Sequence, residues 1–214
     1  LTFIVSLPFL LPFLKEFKTL HPGVKIKVSN SSTPTALAAL RSGHIDFAIL
    51  VMRPGYKGAI LPQDKFSVTR LAGFQDIFIA GNDFSDLAGR SVTPGELCGY
   101  PFICMEPGTV TRQFLDDFLL QFHLAVSPDI ELATTDLITP MAANNLGVGF
   151  VPRAFARSAL EEGSVFQIRL TEIVPEREIC VISRTDTPLS LAGNAFLRLF
   201  SDFAEPSCIK KDCR

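Results

Sequence analysis

Three hydroxyl-bearing stretches stand where helices should begin: Ser31-Ser32-Thr33, Thr109 with Thr111, and Thr134-Thr135. Hydroxyls at a helix start satisfy backbone N–H groups that have no partner within the helix. The same N–H groups, carrying the partial positive charge of the helix end, also receive anions. Each stretch therefore has two readings: a plain cap, or one edge of a site for a carboxylate, sulfate-like or phosphate-like ligand. Capping alone explains Thr33; convergence of several such starts on one crevice would favour the second reading. Arg53 and Arg112 could clamp an anion through their guanidinium groups, or simply be exposed surface charge. Asp46 reads as a structural hydrogen-bonder and His44 as a solvated turn residue.

Other chemistry finds little support in the residue pattern. There is no Gly-x-Ser-x-Gly elbow, no phosphate loop and no dinucleotide fingerprint, so the chain is not expected to be an enzyme. The histidines at 21, 44 and 123 lack metal-ligand spacing with a cysteine or with one another, so neither metal nor cofactor is expected. The cysteines (Cys98, Cys104, Cys180, Cys208 and Cys213) are odd in number and irregularly spaced. That suits a reduced, cytoplasmic protein better than a disulfide framework. Cys104 and Cys180 fall in apolar strand-like runs, and a redox pair of Cys98 with Cys104 stays open.

Composition bounds the class. The chain has 214 residues, 47% hydrophobic and 20% charged, with a formal net charge of −2. This excludes disordered and collagen-like classes. No Lys/Arg cluster stands out beyond Lys210-Lys211, so DNA gripped through its phosphates would have to be held by another segment. The early apolar run FIVSLPFLLPFL lacks a basic leader and a cleavage site and is too short to span a bilayer. It reads as core.

Along the chain, strands alternate with helices, which predicts a mainly parallel sheet. A strand over 1–5 leads to a helix whose buried face is Leu10, Phe13, Leu14, Phe17 and Leu20, stopped by His21-Pro22-Gly23. VKIKV then alternates, with Val24, Ile26 and Val28 inward and lysines outward, as at a sheet edge. Thr33-Pro34 opens a short helix, Gly43 closes it, and IDFAILV follows as a strand covered on both faces. A crossing to a second lobe is placed near 71–75. There, Thr93-Pro94-Gly95-Glu96 is a capping box and YPFICM a strand, and MEPGTVT is a ligand-sized loop. Phe114, Leu115, Phe118, Leu119 and Phe122 form one helix face. DIELA is a strand, Thr134-Thr135 cap a helix ending at Asn144-Asn145-Leu146-Gly147, and VGFVP is a buried strand. VFQIRL and EICVIS are strands, and a last helix runs over 190–203 with Leu191, Ala195, Leu199 and Phe203 near one face. The expected division is lobe I over 1–72, lobe II over 73–169, a return to lobe I over 170–205, and a tail over 206–214.

Taken in order, FxxLHPGVKIKV, LRSGHIDFAIL, LAGRSVTPGEL, YPFI and NNLGVGFVP resemble the effector-binding domain of LysR-type transcriptional regulators, from Leu1 to about Phe203. The resemblance implies an α/β fold of two Rossmann-like lobes joined by two crossing strands, periplasmic-binding-protein-like of type II. It implies a small effector in the cleft between lobes, for which the hydroxyl-bearing helix starts would favour a carboxylate or oxyanion, and a homodimer or higher homo-oligomer. DNA would be bound only through an N-terminal helix-turn-helix domain, expected upstream of Leu1. Carried over by position, Ser6 matches the polar residue after the first strand and Thr33 the hydroxyl of the second helix start, beside Ser31 and Ser32. Gly108 and Thr109 match the loop facing the cleft from the other lobe, and Phe150 matches the residue of the Gly-x-Gly strand that borders the ligand. The loop SLPFLLP departs from the family pattern in being apolar, proline-rich and a residue shorter. A solute-binding protein of a transport system, which shares this architecture, is the alternative.

Overall fold

The computed structural model describes residues 2–4, 10–29, 33–53 and 65–203. By contacts the chain divides into two units, residues 1–73 with 177–214 and residues 74–176.

In the first unit, β1 (Thr2–Ile4) pairs in parallel with β2 (Lys27–Ser29), Phe3 opposite Val28. Between them runs α1 (Leu11–Leu20), where Pro12 sits in the first turn, the one place its missing N–H costs nothing. Leu10 and Phe17 are fully buried. Phe17 meets the Phe196 ring edge-on at 5.1 Å, and Phe196 stacks on Phe47 at 5.8 Å. The buried face of α1 is narrower than its periodicity suggests: Leu20 is 57% exposed. Val28 also faces solvent: β2 is a three-residue strand that, among the described residues, pairs on one side with β1.

The next helix, α2 (Thr33–Arg41), ends at Gly43, whose φ of +72° is a backbone conformation few other residues adopt. There the N–H of His44 bonds back to Ala39 O at 2.9 Å and that of Gly43 to Leu40 O at 3.2 Å, closing the helix. β3 (Ala48–Met52) follows, and the sheet order is β3, β11 (Arg177–Arg184), β4 (Phe66–Phe74). Its core joins Ala36, Leu37 and Leu40 of α2 to Leu50, Cys180 and Ile182. The final helix, α7 (Leu191–Phe203), buries Phe196, while Leu191 projects outward with 91% exposure, contrary to the expected face.

The second unit is a six-stranded sheet. Its strands are β5 (Asp76–Gly81), β6 (Ser91–Val92), β7 (Phe102–Met105), β8 (Ile130–Leu132), β9 (Val148–Pro152) and β10 (Val165–Leu170). Their order is β6-β10-β5-β9-β7-β8. β7 runs parallel to β8 and β9, but β5 is antiparallel to both its neighbours. The sheet is therefore mixed rather than mainly parallel. β5 follows β4 after a single residue, with no crossover helix to impose a parallel direction. In the first unit β11 is likewise antiparallel to β3.

The helices here are α3 (Pro94–Leu97), α4 (Val110–Leu120), α5 (Ile138–Ala143) and α6 (Arg153–Glu161). They cover both faces of the sheet. Val148 and Phe150 of β9 point into one core with Phe114 and Phe118 of α4; Val151 points into the other with Ile138, Ala142 and Ala156.

Candidate functional site

In the second unit, β7 ends at Met105 and the chain turns through Glu106–Gly108 into α4. Gly108 holds a φ of +84°, which lets the turn close. Thr109 is the cap of α4: its hydroxyl accepts the Arg112 N–H at 3.2 Å and donates to Glu106 O at 2.9 Å. The cap thus fastens the helix to the loop before it.

Arg112 is neither exposed nor a free clamp. Its side chain is 11% exposed, with Nε donating to Asp116 Oδ1 at 2.9 Å and Nη1 to Glu131 Oε1 at 2.8 Å and Met105 O at 3.2 Å. One guanidinium ties α4 to the ends of β7 and β8, with two carboxylates already opposite it. The Arg112–Asp116 spacing of four residues was visible in the chain; Glu131 enters only through the pairing of β7 with β8.

Phe150, expected beside a ligand, is instead core. It is 1% exposed, 4.8 Å from the Phe78 ring and 6.2 Å from Phe114, because its side of β9 faces α4. Thr134 precedes a short 3-10 turn over Thr135–Leu137 and makes no side-chain capping bond, so the third hydroxyl pair is not a helix cap. Thr135 Oγ1 lies 3.5 Å from Met105 Sδ. At Thr93 the cap forms, Glu96 N–H donating to Thr93 Oγ1 at 3.1 Å, but the Glu96 carboxylate turns to Arg90 at 2.5 Å.

In the first unit, α2 is helical from Thr33, and Pro34 falls in its first turn. Ser6, Ser31 and Ser32 lie outside the described residues. At the opposite end of α2, Ser42 Oγ lies 2.5 Å from His44 Nδ1. His44, Asp46, Arg184 and Thr187 border a cavity of about 150 Å³ there. Arg184 is already held in a two-pronged bond to Asp186, at 2.8 and 3.0 Å. Arg53 is half-buried.

Sequence reasoning missed Asn145. Its φ of +59° follows α5, and its side-chain oxygen accepts the Asp83 N–H at 3.1 Å. The Asn-Asn-Leu-Gly run was its signal, being read only as a helix stop.

Burial raises both Cys98 and Cys104, the latter to about 12, so neither thiol is set up to ionise. Among the described residues no group of three His, Cys, Asp or Glu side chains could hold a metal ion. No described helix is long and apolar enough to cross a membrane.

Comparison with known proteins places this geometry. The family model of the LysR substrate binding domain matches residues 2–205. A solved regulatory domain, that of CcmR from Synechocystis PCC6803 in complex with 2-PG, superposes with a TM-score of 0.81 at 18% identity, covering 96% of each chain. Among curated sequences, the RuBisCO operon transcriptional regulator of Acidithiobacillus ferrooxidans is 23% identical over 193 residues, covering 90% of this chain and 60% of its own length. The phosphonates import ATP-binding protein PhnC of Anaeromyxobacter dehalogenans is 26% identical over 195 residues, covering 89% of this chain and 37% of its own length. The chain therefore spans between 37% and 60% of the length of these curated relatives. The transport reading is not favoured, since the family model covers nearly the whole chain and the import protein is matched over little more than a third of its length. The fold is the type II periplasmic-binding-protein-like one that the resemblance implied. With that family matched from Thr2 to Glu205, the chain belongs to the LysR substrate-binding domains.

Proposed function

We propose that this chain is the effector-sensing part of a bacterial transcription regulator, in which a small molecule controls DNA binding by a separate helix-turn-helix domain. The observation that carries the reading is the family match over residues 2–205. The likeness to a regulatory domain whose structure holds 2-PG supports it. The effector is taken to be a small carboxylate or oxyanion. In the first unit it meets the start of α2 at Thr33, with Ser6, Ser31 and Ser32. In the second it meets the Gly108–Thr109 turn. Arg112 supports that turn without touching the ligand, because its donors face Asp116, Glu131 and Met105 O. The protein works in the cytoplasm as a homo-oligomer and senses rather than catalyses. Its response follows from different effector affinities for two arrangements of the chain.

A thermal-shift screen tests this. Small carboxylates, amino acids, inorganic oxyanions and 2-PG are titrated against the chain. A ligand of the native state raises Tm as its concentration exceeds Kd. A dose-dependent rise for one chemical class is expected, reduced in Thr33→Val with the fold unchanged by circular dichroism. No rise with any class counts against effector sensing, and an unchanged affinity in Thr33→Val removes Thr33 from the site.

A further inference from the structure

The turn from β7 into α4 is gripped at both ends by one residue that follows it. On the helix side the Arg112 N–H donates to Thr109 Oγ1 at 3.2 Å; on the strand side Arg112 Nη1 donates to Met105 O at 3.2 Å. Between these grips the Thr109 hydroxyl donates back to Glu106 O at 2.9 Å. The outer side of the turn is open: a Cβ built on Gly108 would meet no atom within 4 Å. A ligand can therefore approach this backbone closely, while its shape is set from behind by the Arg112 guanidinium.

Two carboxylates hold that guanidinium, and they are not equivalent. Asp116 meets Nε at 2.9 Å but stands one turn along the same helix, so this pair ties α4 only to itself. Glu131 meets Nη1 at 2.8 Å from β8, a different element. It lies opposite Cys104 in the parallel register of β7 with β8, one residue from the strand end that carries Met105 O. Nη1 has two hydrogens, one for Glu131 Oε1 and one for Met105 O. Without Glu131 the guanidinium is free to follow Asp116 and to leave Met105 O.

We propose that Glu131 is a positioning residue for the effector: without touching it, this carboxylate anchors Arg112 and so holds the Gly108–Thr109 turn in the shape that binds. A turn already in its bound shape avoids the cost of ordering at the moment of binding. Asp116 and Glu131 are 49% and 42% exposed, so solvent screens the two pairs alike, and only their elements distinguish them. The inference rests on the effector reading above and adds to it a residue from a neighbouring strand.

The test compares Glu131→Ala, Glu131→Gln and Asp116→Ala with the parent chain by thermal-shift titration. The probes are small carboxylates, amino acids, and inorganic sulfate and phosphate. For each probe that raises the parent's Tm, Kd is expected to rise about three- to tenfold in Glu131→Ala and to change little in Asp116→Ala. Both variants remove one carboxylate from the same guanidinium, so a merely stabilising role would move them together. Glu131→Gln, whose amide oxygen still accepts from Nη1, should fall between Glu131→Ala and the parent. Native-state hydrogen exchange is the probe-free counterpart. The Arg112 and Gln113 amides, both bonded to Thr109, should exchange several-fold faster in Glu131→Ala while β9 keeps its protection. If Glu131→Ala loses protection throughout, the same comparison is made on Glu131→Gln. A parent that responds to a probe which Glu131→Ala binds with the same Kd overturns the assignment and leaves the effector reading standing. So does an Asp116→Ala that loses as much affinity as Glu131→Ala, or Arg112 and Gln113 amides that exchange at the parent's rate. A parent that responds to no probe removes the effector reading, and this assignment falls with it.

Discussion

Arg112 shows how a residue's partners, more than its type, decide its role. A guanidinium four residues before an aspartate near a helix start reads equally well as a clamp or as surface charge. The structure gives it three bonds within the unit, at 2.8 to 3.2 Å. Arg112→Gln removes the charged donor from Asp116 and Glu131 together. Both acids are roughly half-exposed and recover water, so the expected loss is about 1–2 kcal/mol by urea unfolding. Lysine cannot span Asp116 and Glu131 at once, and Arg112→Lys should recover only part of that loss. Cys104 gives a second prediction. Burial lifts its thiol from 9.0 to about 12, while in the unfolded chain it titrates near its ordinary value. The native state then holds the proton longer than the unfolded state, so stability falls as pH rises from about 9 towards about 12. Cys104→Ala should flatten that decline in a pH series of unfolding curves. At about pH 8 iodoacetamide should reach Cys104 only on unfolding.

At the scale of elements, the legible features were those that neighbours in sequence specify. Thr109 caps α4, Thr93 caps α3, Pro12 sits in a first turn and Gly43 ends α2, each decided within about four residues. Features that need a second element were not legible. Leu20 and Leu191 obey helical periodicity, yet how wide a helix's buried face is depends on what lies beside it. Phe150 alternates correctly along β9, but only the placement of α4 fixes which side of the strand becomes core. Gly149 shows the same dependence. A Cβ there would stand 2.6 Å from Ile138 Cγ2, so β9 can pass beneath α5 only without a side chain at that point. Gly149→Ala should cost about 1–3 kcal/mol of unfolding free energy. Thr109→Val, which keeps the shape of the side chain and loses the cap, should cost about 1 kcal/mol. If Gly149→Ala is neutral in urea, α5 is free to shift. If Thr109→Val is neutral, the α4 start is held by Arg112 and its partners instead.

For the whole molecule, the chain passes from one unit to the other and back, yet each unit has a core that can be traced within itself. The first core joins residues on either side of the whole second unit: Leu50 of β3 packs with Cys180 and Ile182 of β11. This organisation predicts where damage is felt. Phe196 is fully buried between Phe17 and Phe47, all three in the first unit. Truncation to alanine should cost about 3–5 kcal/mol there. Native-state hydrogen exchange reads the cost amide by amide. If each unit opens on its own core, Phe196→Ala lowers the protection of β3 and β11 while β5 and β9 keep theirs. An equal loss of protection in β5 and β9 would mean that the units open together, and that stability is set by the whole chain and not by its two cores.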